Sequence, residues 1–370
     1  MKKYFLSILF LVFSTLAFSQ QINYNLVIGT YTAAGKSEGI YDYNFNTKYA
    51  TTTLKAITKD VANPSYLAIS PDQKFAYSVN ETGNSSTISA FKYNSVSGQL
   101  TFLNKVASEG ADPCYITVDN KNVIVANYSG GSLAVFSRKT DGSLTDAIQI
   151  IKHSGKSIDS KGRQESAHVH MVKFTPDHKY LICNDLGEDQ IYIYNYNPAS
   201  KERILTIKNV IKTNAGTGPR HITFTPNGKF AYLAHEFNGS VTAFAYSNGT
   251  LKKIQEITTT PKDFSGKIDG ADIHVSADGK FLYESNRGDA NTISVFSILP
   301  TGILKFVERV STLGKGPRNF SIDPSGKFLL VAHQYTNDVV IFKRNKITGK
   351  LIDSGKKISV GAPVCLVFTK

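Results

Sequence analysis

Gly218-Pro219-Arg220-His221-Ile222-Thr223-Phe224-Thr225-Pro226-Asn227-Gly228-Lys229-Phe230-Ala231-Tyr232-Leu233-Ala234-His235-Glu236 reads as a strand, a tight Pro-Asn-Gly turn and a second strand running back. The first strand opens on Arg220 and His221, and the second closes on His235 and Glu236. A hairpin brings its two open ends together, so cationic groups and a carboxylate meet at one edge of the fold.

Versions of this unit recur. With Pro71 as reference, the matching positions are Asn120, Pro176, Pro226, Ala277 and Pro324, at spacings of 49, 56, 50, 51 and 47 residues. A period near 50 with four short strands per unit is the signature of a β-propeller. Six hairpins, Pro64–Asn80, Pro113–Asn127, His168–Asp185, Pro219–His235, Asp272–Asn286 and Pro317–His333, are each followed by a third strand, and in most units by a Gly-containing turn into a fourth. The ends of the chain supply one more blade. Pro363–Phe368 reads as an innermost strand with nothing after it, and Asn25–Tyr31 with Gly39–Phe45 as strands with nothing before them. Pairing them closes the ring and hides the sheet edges. The expected fold is all-β: one seven-bladed propeller spanning residues 20–370.

Equivalent slots in the repeat differ in an informative way. Six residues before the reference stand Ser65, Cys114, His170, Arg220, Ala271, Arg318 and, by alignment, Val364. Ten after it stand Glu81, Leu186, Glu236, Arg287 and Gln334, with Tyr128 in the blade whose turn is Asp119-Asn120-Lys121. Both slots face the rim away from the hairpin turn. The ionisable residues gather in blades three to six: His168, His170, Arg220, His221, Glu236, Asp272, His274, Arg287 and Arg318. One reading is structural, with Arg220–Glu236 and Arg287–Asp272 as ion pairs bracing the channel. Unlike titratable groups converging on one concave mouth favour a ligand site instead. A polar insertion, His153 to Glu165, enters the third blade as either a lid or a plain surface loop, and His153 and His178 read as solvated.

Residues 1–19 fit a secretory signal: Lys2 and Lys3, an apolar run from Tyr4 to Phe18, and a small-x-small site at Ala17-Phe18-Ser19. The run is short for a bilayer span, so the mature protein is expected to be exported, periplasmic or secreted, with no membrane span. The formal charge is +13, spread largely over turn lysines. No Lys/Arg run is interleaved with stacking aromatics, which argues against nucleic acid. Cys114, Cys183 and Cys365 lie in apolar strand-like runs and read as buried small hydrophobes. The histidines lack metal-ligand spacing, and no nucleophile elbow, P-loop or dinucleotide fingerprint occurs. No metal and no cofactor are expected, and the chain is expected to be a monomer.

Several segments together resemble the seven-bladed propeller lactonase family, which groups propeller-type 6-phosphogluconolactonases with carboxymuconate cyclases. They are Ile28-Gly29-Thr30-Tyr31-Thr32, Arg163-Gln164-Glu165 before His168-Val169-His170, Gly218-Pro219-Arg220-His221 with His235-Glu236, Ile273-His274-Val275-Ser276 leading to Ser285-Asn286-Arg287-Gly288, and Gly316-Pro317-Arg318-Asn319-Phe320. The resemblance implies catalytic roles for His170, Arg220, Glu236 and Arg287. It also implies a small lactone, anionic or sugar-derived, as the partner. Ala167 stands where relatives often have proline, and Asp289 where they often have histidine.

Lactone hydrolysis requires an activated water, stabilisation of an oxyanion and a proton for the leaving alkoxide. Glu236 or His170 can be the base, and Glu236 can instead only orient Arg220. Arg220 and Arg287 suit the oxyanion or a carboxylate, while His168, His221, Asp272, His274, Arg318 and Gln334 are expected to hold substrate. Two other readings stay open: a muconate-type cycloisomerase, and an exported propeller that binds without turnover.

Overall fold

The computed structural model describes residues 22–159 and 162–370; the expected signal segment 1–19 lies outside the described residues. Among the described residues, 28 strands form seven four-stranded antiparallel sheets. Valine, isoleucine, tyrosine and phenylalanine alternate along these strands. Their inward faces pack blade against blade, as where Val169, Leu181 and Ile191 of the third blade meet Ile222 and Leu233 of the fourth. The fourth blade runs outward from Pro219–Phe224 through Phe230–His235 and Ser240–Ser247 to Thr250–Thr258.

The seventh blade is assembled from both ends of the chain. Pro363–Thr369 is its innermost strand and pairs with Asn23–Thr30, followed by Gly39–Asn46 and Thr51–Lys59. Closure of the ring by N- and C-terminal strands is thus present, as the truncated repeats at each end require. The first blade departs from expectation: its innermost strand is only Leu67–Ile69. Asn63 adopts a positive φ of 42° and the Ser65 N–H bonds back to the Asn63 carbonyl, a turn that Gly316 and Arg318 repeat in the sixth blade.

One irregularity repeats and aims the rim residues. Pairing of the innermost and second strands slips by a residue between Pro113 and Tyr115, Val169 and Met171, Pro219 and His221, and Pro317 and Asn319. The extra residues are Cys114, His170, Arg220 and Arg318. A similar slip in the fifth blade spans Gly270 to Ile273 and frees Ala271 and Asp272. A β-bulge bends its strand and redirects the unpaired side chain. The slot singled out by the repeat is therefore the bulge itself. The three cysteines are buried and unpaired. No helix among the described residues is long and apolar enough to cross a membrane.

Candidate functional site

The second strand of each blade leaves the sheet in the same manner. The N–H groups of Tyr31, Glu81, Tyr128, Leu186, Glu236, Arg287 and Gln334 each donate to a backbone carbonyl in the segment leading into the innermost strand. All but Glu81 are thereby pinned beside a bulge, and seven pairs of side chains ring the channel mouth.

Glu236 is the centre of the mouth. It is 1% exposed, yet three guanidiniums meet it. Arg220 Nε lies 2.7 Å and Arg287 Nη2 3.1 Å from Oε2, while Arg163 Nη2 lies 2.5 Å from Oε1. Burial opposes ionisation of Glu236, but Arg287, Arg220 and Arg163 outweigh it and hold the carboxyl below the usual range. Arg220 is itself fully buried; its Nη1 donates to the Ala271 carbonyl at 2.6 Å. Burial, with Arg287 close by, brings its guanidinium down to about 10. His170 lies alongside with Nε2 3.9 Å from Glu236 Oε2, too far for a direct hydrogen bond. Burial and the neighbouring Arg220 push its imidazole well below the ordinary value, so it is neutral at neutral pH.

Deeper in the channel a second group is closed on itself. His221 Nδ1 lies 2.9 Å from Asp272 Oδ1, and its Nε2 lies 3.4 Å from Arg220 Nη1. A guanidinium only donates, so Nε2 accepts and Nδ1–H donates to Asp272. His274 Nε2 and Asn319 Nδ2 reach Asp272 Oδ2 at 2.9 and 2.6 Å. Burial lowers His221 to about 4. The expected Arg287–Asp272 pair does not form. Arg287 bonds Asp269 Oδ1 at 2.9 Å as well as Glu236, because the Gly270–Ile273 bulge turns Asp272 inward to the histidines.

The structure brings His170, Arg220, Glu236 and Arg287 together, and sets His221, Asp272 and His274 beneath them. Arg318 crosses the mouth on the other side, 5.6 Å over the Tyr31 ring, while the Tyr31 hydroxyl donates to Glu81 at 2.8 Å. Gln334 Oε1 is buried without a partner among the described residues. His168 lies apart from Glu236. It stacks on Tyr128 at 4.5 Å, and its ring nitrogens reach the Tyr128 carbonyl and Glu165.

Three neighbours of the mouth are not among the residues expected from the sequence. Tyr31 is the seventh member of the Glu236 slot, hidden because its blade is split between the chain ends. Asp269 precedes the fifth bulge; burial raises its carboxyl, against the pull of Arg287. Arg163 arrives on the insertion, whose spacing has no counterpart in the repeat. The insertion is not a bare surface loop. Ser157 and Gln164 both bond Asp189 Oδ2, at 2.6 and 2.7 Å, and the same carboxylate takes the N–H groups of Gly216 and Gly218 on the approach to Arg220.

His153 is likewise buried rather than solvated: Nδ1 is 2.7 Å from Asp185 and Nε2 2.8 Å from the Tyr194 hydroxyl. His153, Asp185 and Glu188 have ligand atoms within 4.8 Å of one another. Their polar atoms are already engaged, Glu188 by the Gly155 N–H and the Tyr192 hydroxyl, so the grouping braces the insertion.

The mouth thus offers a neutral imidazole, a locked carboxylate and an excess of guanidinium charge, a setting for chemistry that develops negative charge on oxygen.

A family model described as "Lactonase, 7-bladed beta-propeller" matches residues 25–368. The 6-phosphogluconolactonase of Bacillus subtilis (strain 168) is 38% identical over 346 residues, which is 92% of this chain and 97% of that protein. A crystal structure from Bacteroides fragilis NCTC 9343 superimposes with TM-score 0.91 at 43% identity, covering 95% of this chain and 99% of that one. The periplasmic gluconolactonase of Pseudomonas aeruginosa superimposes with TM-score 0.90 at 36% identity, covering 94% and 99%.

Proposed function

The chain belongs to the seven-bladed β-propeller lactonase family, and on that premise we propose that it hydrolyses a sugar lactone at the Glu236 mouth. One observation carries the reading: a neutral imidazole, His170, beside a carboxylate that three guanidiniums keep ionised.

Glu236 is a poor base in this arrangement, since both its oxygens are occupied and its proton affinity is depressed. His170 takes the proton from a water that attacks the lactone carbonyl carbon. Negative charge grows on the carbonyl oxygen and is met by guanidinium. The ring C–O bond then breaks, and the imidazolium returns its proton to the departing alkoxide. The products are a hydroxy-carboxylate and one released proton. Glu236, 3.9 Å from His170, stabilises the transient imidazolium and fixes Arg220 and Arg287. No step calls on a metal or an organic cofactor.

The substrate is a sugar lactone, and the secretory signal at residues 1–19 favours an unphosphorylated one, met after export. The likeness to a periplasmic gluconolactonase supports that choice. Proton release on purified residues 20–370 tests it, with gluconolactone and 6-phosphogluconolactone each corrected for spontaneous hydrolysis. Catalysed release that Arg287→Ala abolishes supports the reading and ranks the substrates. No release above background on either would leave a binding propeller.

A further inference from the structure

Of the three guanidiniums on Glu236, two are almost wholly buried and tied to protein acceptors. Arg220 is 1% exposed, with Nε on Glu236 and Nη1 on a carbonyl. Arg287 is 5% exposed and divides its donors between Glu236, Asp269 and the Asp269 carbonyl. Arg163 differs in origin and in position. It comes from the insertion, its side chain is 46% exposed, and it lies over the rings of Phe237 at 5.0 Å and Tyr128 at 6.0 Å. Its Nη2 is shared between Glu236 and the Tyr128 hydroxyl. Its Nη1 has only a loose 3.9 Å contact with Asp269, and its Nε has no partner among the described residues.

We infer that Arg163 is the guanidinium that receives the substrate's carbonyl oxygen and, after hydrolysis, the new carboxylate. The inference rests on the lactonase reading but goes beyond it, by assigning the oxyanion donor to the insertion rather than to the repeat. Placement supports it from three sides. The two rings hold the guanidinium plane without using its hydrogen-bond donors. Glu236 anchors one amino group and so sets the direction of the others. Tyr128 is the shared neighbour of Arg163 and of the base: its ring is 5.5 Å from that of His170, and its hydroxyl is 3.0 Å from Arg163. A substrate carbonyl over Tyr128 therefore lies between base and donor. This role of Arg163 also explains why the insertion is tied so firmly to Asp189 and Glu188, since a donor for developing charge works only if it is already in place.

The test uses the mature chain with Arg163→Ala, Arg163→Lys and, as a charge control on the same insertion, Lys156→Gln. Loss of one oxyanion donor costs about 10²–10³-fold in kcat, so Arg163→Ala should fall by that factor while KM stays within about threefold. Free guanidinium should restore part of the rate, because the vacated place opens to solvent. Arg163→Lys should stay impaired, since an ammonium cannot reproduce the planar fork. Lys156→Gln should match the parent. Parent-like kcat in Arg163→Ala, or full activity in Arg163→Lys, would overturn the inference while leaving lactonase activity intact. Should the parent hydrolyse no lactone, the functional reading falls separately, and calorimetry with gluconate decides this one. Gluconate binding at least about tenfold weaker in Arg163→Ala would uphold Arg163 as the carboxylate donor; equal binding, or none by the parent, would sink it.

Discussion

The two rims of the ring are built from the same strands and obey opposite rules. At the turn rim four of the blades do the same thing. Ser70, Thr175, Thr225 and Ser276 donate their hydroxyls to Asp72, Asp177, Asn227 and Asp278 two residues on, at 2.6 to 2.7 Å. Tyr77, Tyr232 and Tyr283 donate to the carbonyls of Gly142, Gly302 and Gly349 in the next blade's outer turn. At the mouth, equivalent bulges carry Cys114, His170, Arg220 and Arg318, so that only two of the four match. Repetition there would put seven like charges around one axis, which no folded state tolerates. The turn rim is thus free to repeat because it serves stability alone, whereas the mouth must vary because its residues work as one set.

The sharpest way to break this contrast is at Glu236. Glu236→Gln leaves Arg220 without a carboxylate partner and Arg163 and Arg287 with Asp269 alone. Removing one partner of a buried pair costs about 3–5 kcal/mol, so urea unfolding should show a large loss, with activity falling below detection. Parent-like activity would mean the cluster is only bracing.

His170→Gln separates chemistry from bracing, since no ion pair of normal length depends on this ring. A general base contributes about 10²–10⁴-fold, and kcat should fall within that span with little change in stability. The sign of the pH effect follows from burial. The folded imidazole has a lowered pKa, so it remains unprotonated, and active as a base, as pH falls through 6.5, the value of an unperturbed histidine. The acid limb of kcat should therefore begin below that point. Stability moves the other way there: the unfolded chain takes up the proton first, so acid destabilises the fold as pH falls through the unfolded value. A parent acid limb centred above 6.5 would remove His170 from the role.

Much of this was legible. The period near 50, the turn residues and the split seventh blade declare the fold, because each blade must satisfy the same local geometry. Four side chains that the structure brings together at the mouth, His170, Arg220, Glu236 and Arg287, were legible as departures from the repeat. What was not legible lacks a repeat to depart from. Arg163 and Asp269 sit outside the aligned slots, and the partner of Arg287 depends on which way one bulge turns Asp272. Nor does Tyr283-Glu284-Ser285 disclose that Glu284 is buried with both carboxylate oxygens unpartnered, its carboxyl held well above the usual range by that burial.

At the turn rim the expected effects are smaller and spare the chemistry. Gly302 has φ +82°, and a Cβ there would come within 2.2 Å of the Phe230 ring. Gly302→Ala combines overpacking with a disfavoured backbone and should cost about 1–3 kcal/mol, with kcat unchanged. A kcat loss in a variant that remains folded would show that the rims are coupled.

Thr225→Val is the mildest test and the cleanest. The Thr225 hydroxyl donates to Asn227 at 2.7 Å and accepts the Phe230 N–H at 3.1 Å. Valine keeps the shape and removes both bonds. Asn227 retains the Lys229 N–H and the Phe230 carbonyl keeps the Thr225 N–H, while the half-buried Phe230 N–H must turn to water. A hydrogen bond of this kind nets about 1 kcal/mol, which in a chain of this size lowers Tm by about 2 °C. Because five other hairpin turns hold the same rim, the loss should stay local, and calorimetry should still show one transition. A second, lower transition would mean that the blades unfold separately, and that the ring owes its unity to the mouth's shared charges more than to its repeated turns.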